Sequence, residues 1–234
     1  MPSLGLSPGP SSVPAKSKRA SHGPALAALK RCDQRLAEVI ARVGPYQPTP
    51  AGDGFAALVR AIVNQQVSKY AGDAILGRLH ALFDDGIPDA AKLRRITPRK
   101  LQSVGLSKRK VEYLRDLAKH VVEGKLVFEE LADLHDEAII ERLTAIKGIG
   151  RWTAEMYLLF TLGRPDVLPL GDVALVNVVR EMYGLPPEAD AEHFGAIAEA
   201  WRPWRSIACW YLYRSINEER AAARAAKAAA RGKK

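Results

Sequence analysis

The 234-residue chain has only two cysteines, Cys32 and Cys209. Two thiols cannot hold an iron–sulfur cluster by themselves. No C-x-x-C or H-x-x-x-H spacing offers a zinc site, so no metal is expected on side chains. Without a disulfide framework, the expected compartment is reducing and cytoplasmic, with both thiols free. Long apolar runs are missing too. None approaches the length of a membrane span, and the first residues lack the apolar stretch of a secretion signal. Alternating β patterns are also lacking. What remains is an aqueous, helical chain of ordinary apolar content, with 47% hydrophobic residues.

Acidic residues are absent from both ends. Residues 1–22 carry Lys16, Lys18 and Arg19 and no acid; residues 220–234 carry Arg220, Arg224, Lys227, Arg231, Lys233 and Lys234 and no acid. These nine charges equal the whole net charge of +9. The body between them is charge-balanced, so the high isoelectric point says little about its surface. The first tail, rich in Ser, Pro and Gly, is expected to be disordered. The Ala-rich second tail has high helix propensity and is expected to prolong the last helix into solvent. Both can add a salt-sensitive attraction to polyanions.

Helical periodicity fills the rest. A first helix starts near Pro24 and runs through Leu26, Leu29, Leu36, Val39 and Ile40. A Pro- and Gly-rich loop follows at 43–54. Helical patterns then cover 54–64, 68–83, 88–94, 98–104, 108–123, 128–133 and 136–146, and, later, 172–182, 190–200 and 204–227. Trp201, Trp204 and Trp210 are expected in the core, Trp204 above all.

The most specific stretch is Leu143-Thr144-Ala145-Ile146-Lys147-Gly148-Ile149-Gly150-Arg151-Trp152-Thr153-Ala154. Asp136 is the expected N-cap of the helix before it. Two glycines in three residues end that helix and allow backbone angles closed to other residues. Ile149 is the apolar plug of the turn. A second helix begins near Arg151 and stops at Gly163 and Pro165. A glycine turn feeding a helix N-terminus leaves convergent, unpaired N–H groups, which is an anion site that needs no charged side chain. A shorter echo lies at Leu101-Gln102-Ser103-Val104-Gly105-Leu106-Ser107-Lys108, inside a basic run from Lys92 to Arg115. That run reads equally as a solvated face or as a second phosphate contact at Gly105–Lys108.

Downstream comes Leu170-Gly171-Asp172, heading an apolar helix that ends at Gly184. Asp is a favoured N-cap in any protein. Asp172 gains interest from lying about twenty positions after the glycine turn, where a group held by the turn can reach it. A carboxylate there suits a developing positive charge.

With these blocks, and with Ala61-Ile62-Val63-Asn64-Gln65-Gln66-Val67-Ser68 and Trp201-Arg202-Pro203-Trp204-Arg205-Ser206, the chain resembles the helix-hairpin-helix DNA glycosylases. More narrowly, it resembles the AlkA type that removes alkylated purines. The likeness runs from about Asp53 to Asn217. It implies an all-α fold of two helical subdomains with an active-site cleft between them. One subdomain comprises 23–52 with 166–219. The other is a bundle over 53–165 that ends in the helix-hairpin-helix, 136–163. The resemblance implies that Asp172 is catalytic and that Trp152, Met156 and Tyr213 line the base pocket. Gln65 and Gln66 fall where the family inserts a wedge. Lys147, Gly148, Gly150, Thr153 and Ser68 fall where it grips phosphate. The implied partner is double-stranded DNA containing alkylated bases, bound by a monomer away from membranes. No cofactor is implied beyond a monovalent cation at the hairpin backbone carbonyls.

Three departures bear on activity. Trp152 stands where strand-cleaving relatives carry a nucleophilic lysine, which implies a monofunctional enzyme with water as nucleophile. Met156 stands where some relatives have a pocket tyrosine, and Tyr213 where many have tryptophan; and the extra mixed α/β domain that larger relatives carry in front is expected to be absent. Two other readings remain open at this level: a glycosylase of the same fold acting on mismatched or oxidised bases, and a noncatalytic DNA-binding module.

Overall fold

A computed structural model describes residues 22–48 and 53–231. The first tail therefore lies outside the described residues, apart from His22. The described residues are helical, with no strand among them. They bury two separate apolar clusters.

The chain opens with α1 (Gly23–Cys32) and α2 (Gln34–Val43). The single helix expected here is broken at Asp33. Its backbone is extended, and its carboxylate caps α2 by accepting the Leu36 N–H at 2.9 Å. An N-cap side chain competes with helix continuation, and here it wins.

Next come α3 (Gly54–Asn64), α4 (Lys69–His80), α5 (Ala90–Arg95), α6 (Pro98–Ser103), α7 (Lys108–Val122), α8 (Phe128–Leu131) and α9 (Asp136–Thr144). Most start at a capping side chain: Asp53, Ser68, Asp89, Thr97 and Ser107 each accept a backbone N–H from the first turn. Helix α9 is capped by His135 rather than Asp136, a shift of one residue. Asp136 instead pairs with Arg164 at 3.5 Å. The buried faces of α3 to α9 meet in the first core, around Leu58, Ile62, Leu79, Leu114, Leu117, Ile139 and Leu143. Burying each such side chain contributes about 1.5–3 kcal/mol.

Helix α10 (Arg151–Tyr157) continues into a π turn, Leu158–Leu162, that closes at left-handed Gly163. Leu158 packs in the first core and Leu159 in the second, so this segment joins the two. The second core is built by α1 and α2 with α11 (Val173–Tyr183), α12 (Ala191–Ala198), a short 3₁₀ turn (Glu199–Trp201) and α13 (Arg205–Arg231). Trp201 and Trp210 are buried there. Trp204, expected deepest, is only partly buried at its edge. The last helix runs on through Ala221–Ala226, whose residues are all exposed.

Candidate active site

Asp172 heads α11 and is 6% exposed. Its Oδ1 accepts the N–H groups of Ala174 at 2.8 Å and Leu175 at 3.1 Å, as an N-cap should. Its Oδ2 has a different use. It accepts the indole Nε1–H of Trp152 at 2.6 Å and the hydroxyl of Tyr213 at 2.8 Å. Four donors thus converge on one carboxylate, an arrangement that stabilises negative charge at a fixed place.

Three elements supply this geometry. Trp152 is the second residue of α10, immediately after the hairpin. Tyr213 comes from the middle of α13. Asp172 arrives on the 163–172 loop, which is tied to the start of α13: Arg205 grips Asp166 with two bonds, at 2.7 and 3.0 Å, and the Ser206 hydroxyl accepts the Val167 N–H at 2.9 Å. The Trp201–Ser206 block therefore sets the path of the loop that delivers the carboxylate.

Around Asp172 the surface is apolar. Trp152 is 48% exposed, and Leu170, Val173 and Phe160 are exposed beside it in sequence or space. Phe160 packs on the Tyr213 ring with centroids 5.7 Å apart. The Met156 sulfur lies 3.5 Å from the Tyr213 oxygen, which brings Trp152, Met156 and Tyr213 together about Asp172. Burial, then the bond to Asp172, pushes the Tyr213 hydroxyl well above its ordinary range, so it stays protonated and donates. One turn along α10, Glu155 is 7% exposed and pairs with Arg151 at 3.0 Å. Arg151 also grips Glu137 on α9. Burial, against the pull of Arg151, holds the Glu155 carboxyl above its ordinary 4.5.

The hairpin is the second part of the site. Ile149 is buried as its plug. Gly148 has φ +82, and a Cβ there would lie 2.1 Å from the Tyr113 ring, so this glycine is demanded by the protein itself. Gly150 is not: its φ is −91 and nothing lies within 4 Å of where a Cβ would sit. Gly150 is the N-cap of α10 and offers no capping side chain; it is exposed, as is Lys147 three residues before it. Thr153, expected near phosphate, is buried at 7% exposure. Ser68 spends its hydroxyl on capping α4 at 3.3 Å, in an exposed position.

The turn after α3 holds the two glutamines. Gln66 is exposed and carries φ +54, which no other non-glycine among the described residues matches in sign. Gln65, read from sequence as a partner in the wedge, points elsewhere: its Nε2 donates to the Gly148 carbonyl at 2.7 Å. The echo at Gly105 forms a left-handed turn, φ +104, whose Val104 carbonyl accepts the Arg78 Nε–H at 2.8 Å. Sequence reasoning missed three residues of α7. Asp116 accepts the Lys147 N–H at 2.9 Å, Tyr113 backs Gly148, and Lys110 donates to the Val63 carbonyl at 2.7 Å. Their spacing of three along one helix was the available signal.

The site is thus a buried carboxylate bonded to a half-exposed indole, with that indole in the first turn of the helix that follows the glycine turn. The chain belongs to the HhH-GPD superfamily of base excision DNA repair proteins, whose family model matches residues 59–203. It is 33% identical over 192 residues to DNA-3-methyladenine glycosylase 1 of Schizosaccharomyces pombe, covering 80% of this chain and 84% of that one. The solved structure of the Schizosaccharomyces pombe 3-methyladenine DNA glycosylase in complex with abasic DNA superposes with a TM-score of 0.74, over 82% of this chain and 95% of that one. A DNA-3-methyladenine glycosidase from Bacillus halodurans is 39% identical, with a TM-score of 0.74 over 82% of this chain and 89% of that one.

Proposed function

We propose that this protein is a monofunctional DNA glycosylase that flips alkylated purines, of the 3-methyladenine and 7-methylguanine type, out of duplex DNA. It releases them by hydrolysis and leaves an abasic site for base excision repair. The observation that carries the reading is the Trp152–Asp172–Tyr213 constellation: a fixed carboxylate with an aromatic face open beside it. The names of the relatives support the substrate class.

A base inside a duplex is out of reach, so it must leave the stack. Gly148, Gly150 and Lys147 hold the backbone, while Gln66 enters the gap. The extruded purine, cationic when alkylated at N3 or N7, lies against Trp152 with Tyr213 and Met156 around it. Stacking and cation–π attraction favour it there. The glycosidic bond then breaks with its electron pair moving to the purine. Alkylation makes the purine a good leaving group, so no dedicated general acid is needed. Positive charge develops on the sugar opposite the Asp172 carboxylate. Water adds to C1′ and loses a proton, completing hydrolysis with one carboxylate where most glycoside hydrolases use two.

The proposal has the enzyme act as a monomer in the cytoplasm. A monovalent cation belongs to the same proposal; the hairpin backbone carbonyls would hold it, and it would supply positive charge to the phosphate grip. The Gly148 and Ile146 carbonyls each carry one hydrogen bond, which leaves each a lone pair for it. The test is to incubate the protein with dimethyl-sulfate-treated DNA and separate the free bases. Release of 3-methyladenine or 7-methylguanine supports the reading; release of neither overturns it.

A further inference from the structure

One face of α7 touches both turns that the proposed site presents to DNA. Lys110 reaches the Val63 carbonyl, at the end of α3 and three residues before Gln66. Tyr113 packs against Gly148. Asp116 holds the Lys147 N–H. All three are half-buried. Between the turns runs one direct bond, from the Gln65 amide to the Gly148 carbonyl. On its other side the 64–66 turn leans on α4. A Cβ at Gly72 would lie 2.0 Å from the Asn64 Oδ1, so that glycine makes room for the Asn64 side chain.

The turn so held is strained. Gln66 sits in the left-handed region at φ +54, which is unfavourable for a non-glycine residue. Such a conformation persists only where the surroundings over-determine it. The Lys110 and Gln65 bonds fix the chain at Val63 and Gln65, immediately before Gln66, and are the over-determining contacts. Lys110 also gives up solvent for this bond, and that desolvation pulls its ammonium below the ordinary range.

We infer that Gln65 and Lys110 are positioning residues: they lock the Gln66 turn at a fixed offset from the phosphate-gripping hairpin, so that seating a phosphate at Gly150 drives Gln66 into the stack. Gln65 is then a strut rather than a wedge. The inference rests on the glycosylase reading for its excision measurements, but not for its binding measurement. It predicts a defect in base extrusion, with chemistry and phosphate grip intact.

The test uses Gln65→Met, which keeps length and neutrality but removes the donor, and Lys110→Met, which keeps length but removes the donors. Lys110→Arg is the rescue, since it retains an N–H for Val63. Wedge insertion is read without chemistry, on a duplex with a tetrahydrofuran abasic analogue facing 2-aminopurine, whose fluorescence rises on unstacking. Both loss variants should bind this duplex within about threefold of wild type yet lose most of the fluorescence rise. Excision is then compared for one lesion paired normally and the same lesion facing an abasic analogue. The paired substrate should slow by about tenfold, the effect of one lost hydrogen bond to a strained element. The unpaired one should stay within about threefold, and Lys110→Arg should restore both. A full fluorescence rise in both loss variants overturns the inference. Equal slowing on paired and unpaired lesions also overturns it, because a general weakening of the fold would act on both alike. Failure of the wild-type protein to excise any lesion, with the fluorescence pattern as expected, counts against the glycosylase reading and leaves the strut standing.

Discussion

The indole Nε1 of Trp152 donates to Oδ2 of Asp172 at 2.6 Å, and the same bond recurs elsewhere in the molecule between Trp201 and Asp33 at 2.7 Å. The two sites share more than that. Each aspartate caps a helix with Oδ1, and each Oδ2 also accepts a tyrosine hydroxyl: Tyr213 at Asp172 and Tyr183 at Asp33. What differs is the ring. Trp201 is fully buried, whereas Trp152 is 48% exposed. At Asp33 the constellation is a joint between α1, α2 and the second core. At Asp172 the protein leaves a ring face free, and only there can a flat cationic ligand stack beside the carboxylate.

Asp172→Asn is expected to keep the cap, because the amide oxygen can still accept from Ala174 and Leu175. It removes the charge and turns an NH₂ toward two donors. Base release should fall by about 10²–10³-fold or more, the scale seen when a preorganised electrostatic contact is removed. Binding to abasic-analogue DNA should survive. Single-turnover release by folded Asp172→Asn, checked by circular dichroism, reads this directly; a near-normal rate refutes the assignment.

Tyr213→Phe isolates the hydroxyl. The ring and its packing on Phe160 remain, while Asp172 Oδ2 loses one of two side-chain donors. Release should slow by about tenfold, with binding of abasic-analogue DNA little changed. Since burial and Asp172 keep the Tyr213 hydroxyl protonated above its ordinary 10.0, the wild-type pH–rate profile should show no alkaline fall from this group below pH 10. An alkaline limb present in wild type and absent in Tyr213→Phe would contradict it.

Much of this site was legible in the sequence because it is local. The glycine turn, its plug Ile149 and the capping role of Asp172 follow from residue type and spacing. The break at Asp33 was missed because an apolar stripe continued through it, and one capping carboxylate outweighed that stripe. Gln65 could not be told from Gln66 for another reason. Two adjacent glutamines look alike in sequence, and only the approach of the Gly148 carbonyl, 83 positions away, separates them. Trp201 is in the core as expected, but ranking Trp204 above it failed because the Trp201 partner, Asp33, lies 168 positions off.

Gly150→Val should weaken binding to damaged and undamaged DNA alike. The backbone at 150 is one any residue adopts, and the Cβ meets nothing in the protein, so the melting temperature should hold while the added bulk blocks a phosphate. Gly148→Val should instead unfold the hairpin, since φ +82 and the Tyr113 ring both oppose it. Gel-shift titration and thermal melts separate the two. Unaltered affinity of folded Gly150→Val would remove the hairpin from the DNA interface.

Glu155 makes stability depend on pH. Burial raises its carboxyl above 4.5 in the folded chain, although Arg151 pulls the other way. A raised carboxyl binds its proton more tightly folded than unfolded. Its contribution is therefore fully present below 4.5 and is lost as pH rises through the folded value. Glu155→Gln does not titrate, so its melting temperature relative to wild type should climb as pH rises above 4.5 and then level off. The ion pair it gives up has an exposed partner, with Arg151 58% accessible, and such pairs contribute little. A relative melting temperature that is flat or falling across that window would show that Arg151 dominates.

Strand cleavage decides between the two chemistries open to this fold. An enzyme that also cuts the strand needs an amine to attack C1′ and form a Schiff base. The residue beside Asp172 is Trp152, whose nitrogen lone pair is delocalised in the ring and whose N–H is already given to Oδ2. Lys147 is the nearest lysine in sequence, but it lies in the exposed hairpin turn, with its backbone N–H held by Asp116. The product should therefore be an unbroken strand with an abasic site. Borohydride added during turnover should trap no protein–DNA adduct. Trp152→Lys should lose stacking and release alkylated bases more slowly, yet place an amine next to the carboxylate, and a trace of trapped adduct from that variant alone would show that the site lacks only the nucleophile. A robust adduct from the wild-type protein, abolished by Lys147→Ala, would instead make Lys147 catalytic and overturn hydrolysis by water.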